Sequence, residues 1–112
     1  MKYTLRITPA ADADVDEAAT FIAEDSLNAA LRFYDAVELT YRELRDHPER
    51  WPLFELPNPR LIGLRKRAVI GFHRFIVFYR IEARVVLIIR VLHGARDLYS
   101  ILSDGPGPLI SD

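Results

Sequence analysis

The chain has 112 residues, half of them apolar, with 15 Lys and Arg against 16 Asp and Glu, and no cysteine. That length suits one compact domain and is too short for two ordinary ones. The missing cysteines exclude a disulfide framework, a thiolate metal site and a cysteine nucleophile, and they are compatible with a reducing cytoplasm. The N-terminal MKYTLRITPAAD has no apolar signal core and the longest apolar run is VVLII, far below membrane-spanning length, so a soluble cytoplasmic protein is expected.

Tyr3, Leu5 and Ile7 alternate with Lys2, Thr4, Arg6 and Thr8, the period of a half-buried strand. Thr8-Pro9 ends it and opens a helix. Thr8 can act as N-cap, Pro9 takes the first helical position where its missing N–H is not needed, and Asp12, Asp14, Asp16 and Glu17 suit the positive end of the helix dipole. This helix is expected to run to about Glu24, with a stripe of Ala11, Val15, Ala18, Ala19 and Ile22 suited to close packing. Asp25 or Ser26 can cap a second helix, whose Leu27, Ala30, Leu31, Tyr34, Val37, Tyr41 and Leu44 recur every three or four residues until Pro48 stops it. The two form a hairpin that must bury its stripe on a sheet.

Residues 47–59 hold four prolines and read as an extended connector, with Trp51 either anchoring it on the domain or projecting as a partner contact. Three strands follow, over Leu61–Val69, Phe72–Ile81 and Arg84–His93; the last two are apolar on both faces and joined by a tight Glu82-Ala83 turn, although neither residue favours positive φ. Residues from Gly94 to Leu102 are expected to form a short helix or turn, and SDGPGPLISD, residues 103–112, a disordered tail. The expected fold is α+β: an N-terminal strand and a helical hairpin on a mostly antiparallel four-stranded sheet, in one domain over 1–102.

Charge is unevenly spread. Residues 60–96 hold nine basic residues and one acid, Glu82, whereas residues 1–59 hold six basic residues and twelve acids. The basic half is a candidate anion-binding surface, for nucleic acid gripped through phosphates or for an acidic peptide. The acids of the first helix do not make a metal site, since no histidine accompanies them and the dipole explains them. No glycine-rich phosphate loop or G-x-S-x-G elbow occurs. His93, followed by Arg96 and Asp97, suits either a general acid/base or a structural bond at the end of the last strand; His47 suits a helix C-terminus, and His73 has no assigned role.

The order of elements, with the segments LRKRAV, FHRFIVFYRI and RVLHGARDL, resembles the RelE/ParE superfamily of toxins from bacterial type II toxin–antitoxin systems over residues 3 to about 102. Val91-Leu92-His93-Gly94-Ala95-Arg96-Asp97 looks like the ParE branch. The resemblance implies a cognate antitoxin with a segment that folds across helices and sheet, a hetero-oligomeric complex, no cofactor, and poisoning of DNA gyrase without an enzymatic site. RelE-like members instead cut messenger RNA on the ribosome. Their pattern has an arginine three residues before the tyrosine of a V-Y pair; here Ile76 stands before Tyr79, with Arg74 two residues earlier, which weakens the nuclease reading. Arg65, Arg67, Arg74, Arg90 and Arg96 are therefore the candidate target- or antitoxin-binding residues; Lys66, Arg74, His93 and Tyr99 are the catalytic candidates of the alternative. A third reading is a non-toxic module that binds the antitoxin alone.

Overall fold

The computed structural model describes residues 2–54 and 62–94, in the order β1 (Thr4–Ile7), α1 (Pro9–Ala23), α2 (Leu27–Asp46), β2 (Arg65–Val69), β3 (Phe72–Glu82) and β4 (Val85–His93). The sheet runs β1-β4-β3-β2, with β2–β3 and β3–β4 antiparallel and β1 parallel to β4. Two tight turns suffice for the antiparallel meander, whereas a parallel neighbour needs a long crossover, which begins here with the helical hairpin. The expected α+β architecture is the observed one. The expected C-terminal helix or turn and the tail lie outside the described residues.

Both caps form where the sequence places them. Thr8 Oγ1 accepts from the Ala11 amide at 3.0 Å and donates to the Ile89 carbonyl at 2.8 Å, so one hydroxyl caps α1 and pins its start to β4. Ser26 Oγ accepts from the Ala29 amide at 3.1 Å and caps α2. Helix α2 ends at Asp46 with His47 as C-cap. Ala11, Val15, Ala18 and Ala19 of the expected α1 stripe are buried and Ile22 is partly buried; Asp14 is buried with them.

The apolar stripe of α2 is rotated from the expected one. Ala30, Phe33, Val37, Thr40, Tyr41 and Leu44 are buried, while Leu27, Leu31 and Tyr34 are 66%, 56% and 42% exposed. Apolar residues cover more than one side of this helix, so periodicity alone could not choose which side meets the sheet. Phe33 decides it: fully buried, it packs edge-on against Phe72 and Phe75 with ring centroids 5.2 and 5.1 Å apart, a geometry aromatic quadrupoles favour. Thr40, also fully buried, donates to the Ala36 carbonyl and accepts from the Ile70 amide at 3.0 Å, which fixes the β2–β3 turn to the helix.

Strands β3 and β4 are indeed apolar on both faces. Val77, Tyr79, Val86, Ile88 and Val91 join the helices in one core, while Leu64, Phe78, Ile89 and Leu92 form a second cluster with Phe54, Ile76 and Leu87. An irregularity between Phe78 and Tyr79 moves the register from Arg90 to Ile88. Strand β2 begins at Arg65 rather than Leu61. Gly63 has φ +84°, outside the extended region, so Ile62-Gly63 is a turn and Ile62 is 73% exposed.

The β3–β4 turn is Ala83-Arg84, one residue later than expected, with Glu82 paired to Val85. Ala83 has φ +57° and Arg84 is not in the positive region, the pattern of a II′ hairpin turn, in which glycine is favoured at the first position. A Cβ there costs about 1 kcal/mol. Ala83→Gly is therefore expected to raise stability by about that amount, seen as a higher urea midpoint at unchanged m-value.

Candidate functional site

The described basic residues of the second half do not form a free stripe. Arg65 donates to the Trp51 carbonyl, which ties the proline-rich connector to β2. Arg67 donates to Glu43 Oε1 on α2 through Nη2 at 2.9 Å and lies 5.0 Å from the Trp51 ring, whose side Arg50 also approaches at 5.5 Å. Trp51 itself packs against the main core, as an anchor should. Arg80 pairs with Glu82, and Arg84 donates to the Lys2 carbonyl at 3.4 Å.

Arg90 is the most committed of them. Its Nε and Nη2 reach Asp14 Oδ2 and Oδ1 at 2.7 and 2.8 Å, a bidentate fork, and Asp14 Oδ2 also accepts from the Val91 amide at 3.0 Å. Both side chains are largely buried, at 14% and 8% exposure, so the pair locks α1 onto β4. Arg90, a candidate binding residue in the sequence, thus has a structural role, and reversing its charge is expected to unfold the domain. Asp14 was legible in principle, because it lies three residues after Ala11 and four before Ala18, inside the stripe that α1 buries.

Two candidates remain on the surface. Lys66 is exposed with its ammonium 4.5 Å from the centre of the Phe54 ring. Arg74 is exposed, and no hydrogen bond or ion pair joins its guanidinium to any described residue. Its backbone carbonyl accepts from the Gly94 amide at 2.7 Å, placing Arg74 beside the His93-Gly94 corner. His93 stands opposite Phe75 with ring centroids 5.3 Å apart in an edge-on contact. Lys66 pairs with Phe78, four residues along β3 from Arg74, roughly 13 Å between backbones at strand rise. Arg96 and Tyr99 lie outside the described residues.

Of the tyrosine and isoleucine that the RelE-like pattern makes informative, the first is interior and the second partly buried. Tyr79 is fully buried, its hydroxyl donating to the Pro48 carbonyl at 2.7 Å, and burial pushes its pKa up to about 12. Ile76 packs against the second apolar cluster. Among the described residues no group of three His, Cys, Asp or Glu is placed to hold a metal ion.

The family model described as the ParE toxin of type II toxin–antitoxin systems, parDE, matches residues 5–98. The chain belongs to the ParE toxin family. Its fold is similar to a structure of the chromosomal ParDE toxin–antitoxin system from P. aeruginosa, with TM-score 0.67 and 18% identity, over 82% of this chain and 96% of that one. It is also similar to a chain of the toxin–antitoxin complex RelBE2 from Mycobacterium tuberculosis, with TM-score 0.52 and 24% identity, over 83% and 99% of the two chains. A comparison with curated proteins gave no match. The ParE match takes in the whole described sheet except Thr4, and Arg74 with it.

Proposed function

We propose that this ParE-family toxin inhibits DNA gyrase in the cytoplasm by binding rather than by catalysis, and that a cognate antitoxin neutralises it in a hetero-oligomeric complex. The observation that carries the non-enzymatic reading is the full burial of Tyr79, with Ile76 standing at the arginine position. A nuclease of the RelE type needs a base, an acid and cations held together at one phosphate. Here the tyrosine hydroxyl is spent on the Pro48 carbonyl inside the core, and an aliphatic side chain occupies the arginine position. The exposed guanidinium of Arg74 then serves as a contact, which asks only for charge complementarity.

Controlled expression without antitoxin, followed by gyrase supercoiling and ribosome-dependent messenger cleavage on one preparation, tests this. Growth arrest with gyrase inhibition and intact messenger is the expected result. Cut messenger with normal gyrase would replace it with the nuclease reading and point to Lys66, Arg74, His93 and Tyr99; tolerated expression would leave a non-toxic antitoxin-binding module. Arg74→Glu is expected to weaken gyrase inhibition about tenfold or more, since a like charge at a contact costs over 1.4 kcal/mol, while leaving the melting temperature unchanged.

A further inference from the structure

Charges from distant parts of the chain meet at one end of the sheet. Strand β1 lies parallel to β4, with Thr4 opposite Val85 and Arg6 opposite Leu87, and β3 brings Arg80 to the other side of Leu87. Tyr3, Leu5 and Ile7 pack against the main core, so the period of two turns Lys2, Thr4 and Arg6 to the opposite face of the sheet. Arg80 shares that face, since its neighbours Tyr79 and Ile81 pack with the main core. Arg84, at the β3–β4 turn, donates from Nη1 to the Lys2 carbonyl at 3.4 Å, and its own carbonyl accepts from the Thr4 amide at 2.9 Å. Lys2 and Arg6 belong to the acidic half of the sequence, Arg80 and Arg84 to the basic half; the parallel pairing unites them.

Lys2, Arg6 and Arg84 are exposed, and among the described residues none of the three has a carboxylate partner. The acid beside them is Glu82, half exposed, which accepts from Arg80 Nε at 2.8 Å. Asp46 and Glu49 border β1 on the helix side instead, where they share a cleft with Tyr3. Strand geometry sets Lys2 and Arg6 about 13 Å apart, and Arg6 and Arg80 about 10 Å apart across β4. No large apolar side chain of β1, β3 or β4 is exposed, so the row offers charge without an apolar anchor.

We propose that this row, Lys2, Arg6 and Arg84 with Arg80 beside them, grips the phosphate backbone of duplex DNA without reading its sequence. Duplex DNA carries one negative charge per roughly 1.7 Å of helix axis, so exposed cations at loose spacing all find phosphates. An acidic peptide would need carboxylates at matching spacing and an apolar contact to fix its register, and this row has no such contact to give. The acids of the first half lie mainly on α1 and α2, in the other layer, so the near-zero net charge of the chain leaves this face positive. Placing the toxin on the DNA that gyrase handles rests on the function proposed above; the DNA contact itself does not.

The test titrates a short labelled DNA duplex with the full chain and follows fluorescence anisotropy from about 25 to 200 mM salt. Binding is expected to be weak and to fall with a log–log slope of about −3, from about −0.9 for each of Lys2, Arg6 and Arg84, while Glu82 neutralises Arg80. Lys2→Gln with Arg6→Gln and Arg84→Gln is expected to weaken binding about tenfold or more at low salt and to flatten the slope. Arg32→Gln with Arg42→Gln and Arg45→Gln, the same change in net charge at exposed positions of α2, is expected to leave affinity and slope nearly unchanged. Glu82→Gln frees Arg80 and is expected to tighten binding and steepen the slope by about 0.9, a gain that a damaged fold does not imitate. Equal losses in the two triple variants, no gain in Glu82→Gln, a salt-independent affinity, no binding of DNA, or a polyglutamate peptide bound as tightly as DNA would each overturn the proposal. Gyrase inhibition is measured on the wild-type chain separately, so its absence would remove the function proposed above while the salt slope still reports the DNA contact.

Discussion

Replacing Asp14 with alanine is expected to destabilise the domain by about 3–5 kcal/mol, the usual consequence of stranding one member of a buried ion pair. Three donors lose their acceptor at once: Nε and Nη2 of Arg90 and the Val91 amide. The guanidinium loses this carboxylate between α1 and β4, where little water reaches it. A loss of this size is a large part of the stability of a domain this small. Chemical denaturation of Asp14→Ala and Arg90→Met should show both singles strongly destabilised. The double Asp14→Leu, Arg90→Met should recover much of the loss, because an apolar pair replaces the charges, yet fall short of wild type by about 1–3 kcal/mol for the unmet Val91 amide. Near-wild-type stability in Asp14→Ala would show that the fork contributes little. It also follows that lost toxicity in an Arg90→Glu variant reports an unfolded chain before it reports a lost gyrase contact.

The Asp14–Arg90 pair explains why the charge asymmetry of the sequence points only partly to a partner. The acidic first half and the basic second half meet in the fold: Asp14 holds Arg90 and Glu43 holds Arg67, each contact joining residues far apart in the chain. Arg65 is taken up by a backbone carbonyl of the connector, leaving Lys66, Arg74 and Arg84 as the exposed members of the set in the described residues. Local rules were sufficient for what is local. The Thr8 and Ser26 caps, the end of α2 before Pro48 and the two-sided apolar character of β3 and β4 could be read from a few neighbouring residues each. What escaped depends on pairing across tens of residues, which periodicity does not carry: the rotation of α2 set by Phe33 against Phe72 and Phe75, and the acids that neutralise the arginines. The same rotation left Leu27, Leu31 and Tyr34 on the surface.

Alkaline pH should expose how far the core depends on a neutral Tyr79. In the unfolded chain its phenol titrates near the ordinary value of about 10. In the folded chain burial raises it to about 12, with Arg65 and Arg67 opposing that shift in part. A folded pKa above the unfolded one means that the folded state binds the proton more tightly. The stabilisation is present in full below pH 10 and is lost as pH rises from 10 to about 12, because ionisation becomes favourable first in the unfolded chain. A gap of this size corresponds to roughly 3 kcal/mol at 1.36 kcal/mol per pH unit. Tyr41, whose pKa is also raised, adds a loss of the same sign starting from the same pH. Urea midpoints between pH 8 and 11.5 are therefore expected to hold steady to about pH 10 and then fall steeply. Tyr79→Phe should be less stable at pH 8, since the Pro48 carbonyl loses its donor at a cost of about 1–3 kcal/mol. It should also lose stability more slowly above pH 10, so that the two curves converge as the pH rises. Parallel curves would mean that the Tyr79 phenol ionises equally readily in both states, and that its bond to Pro48 positions the connector without holding the proton.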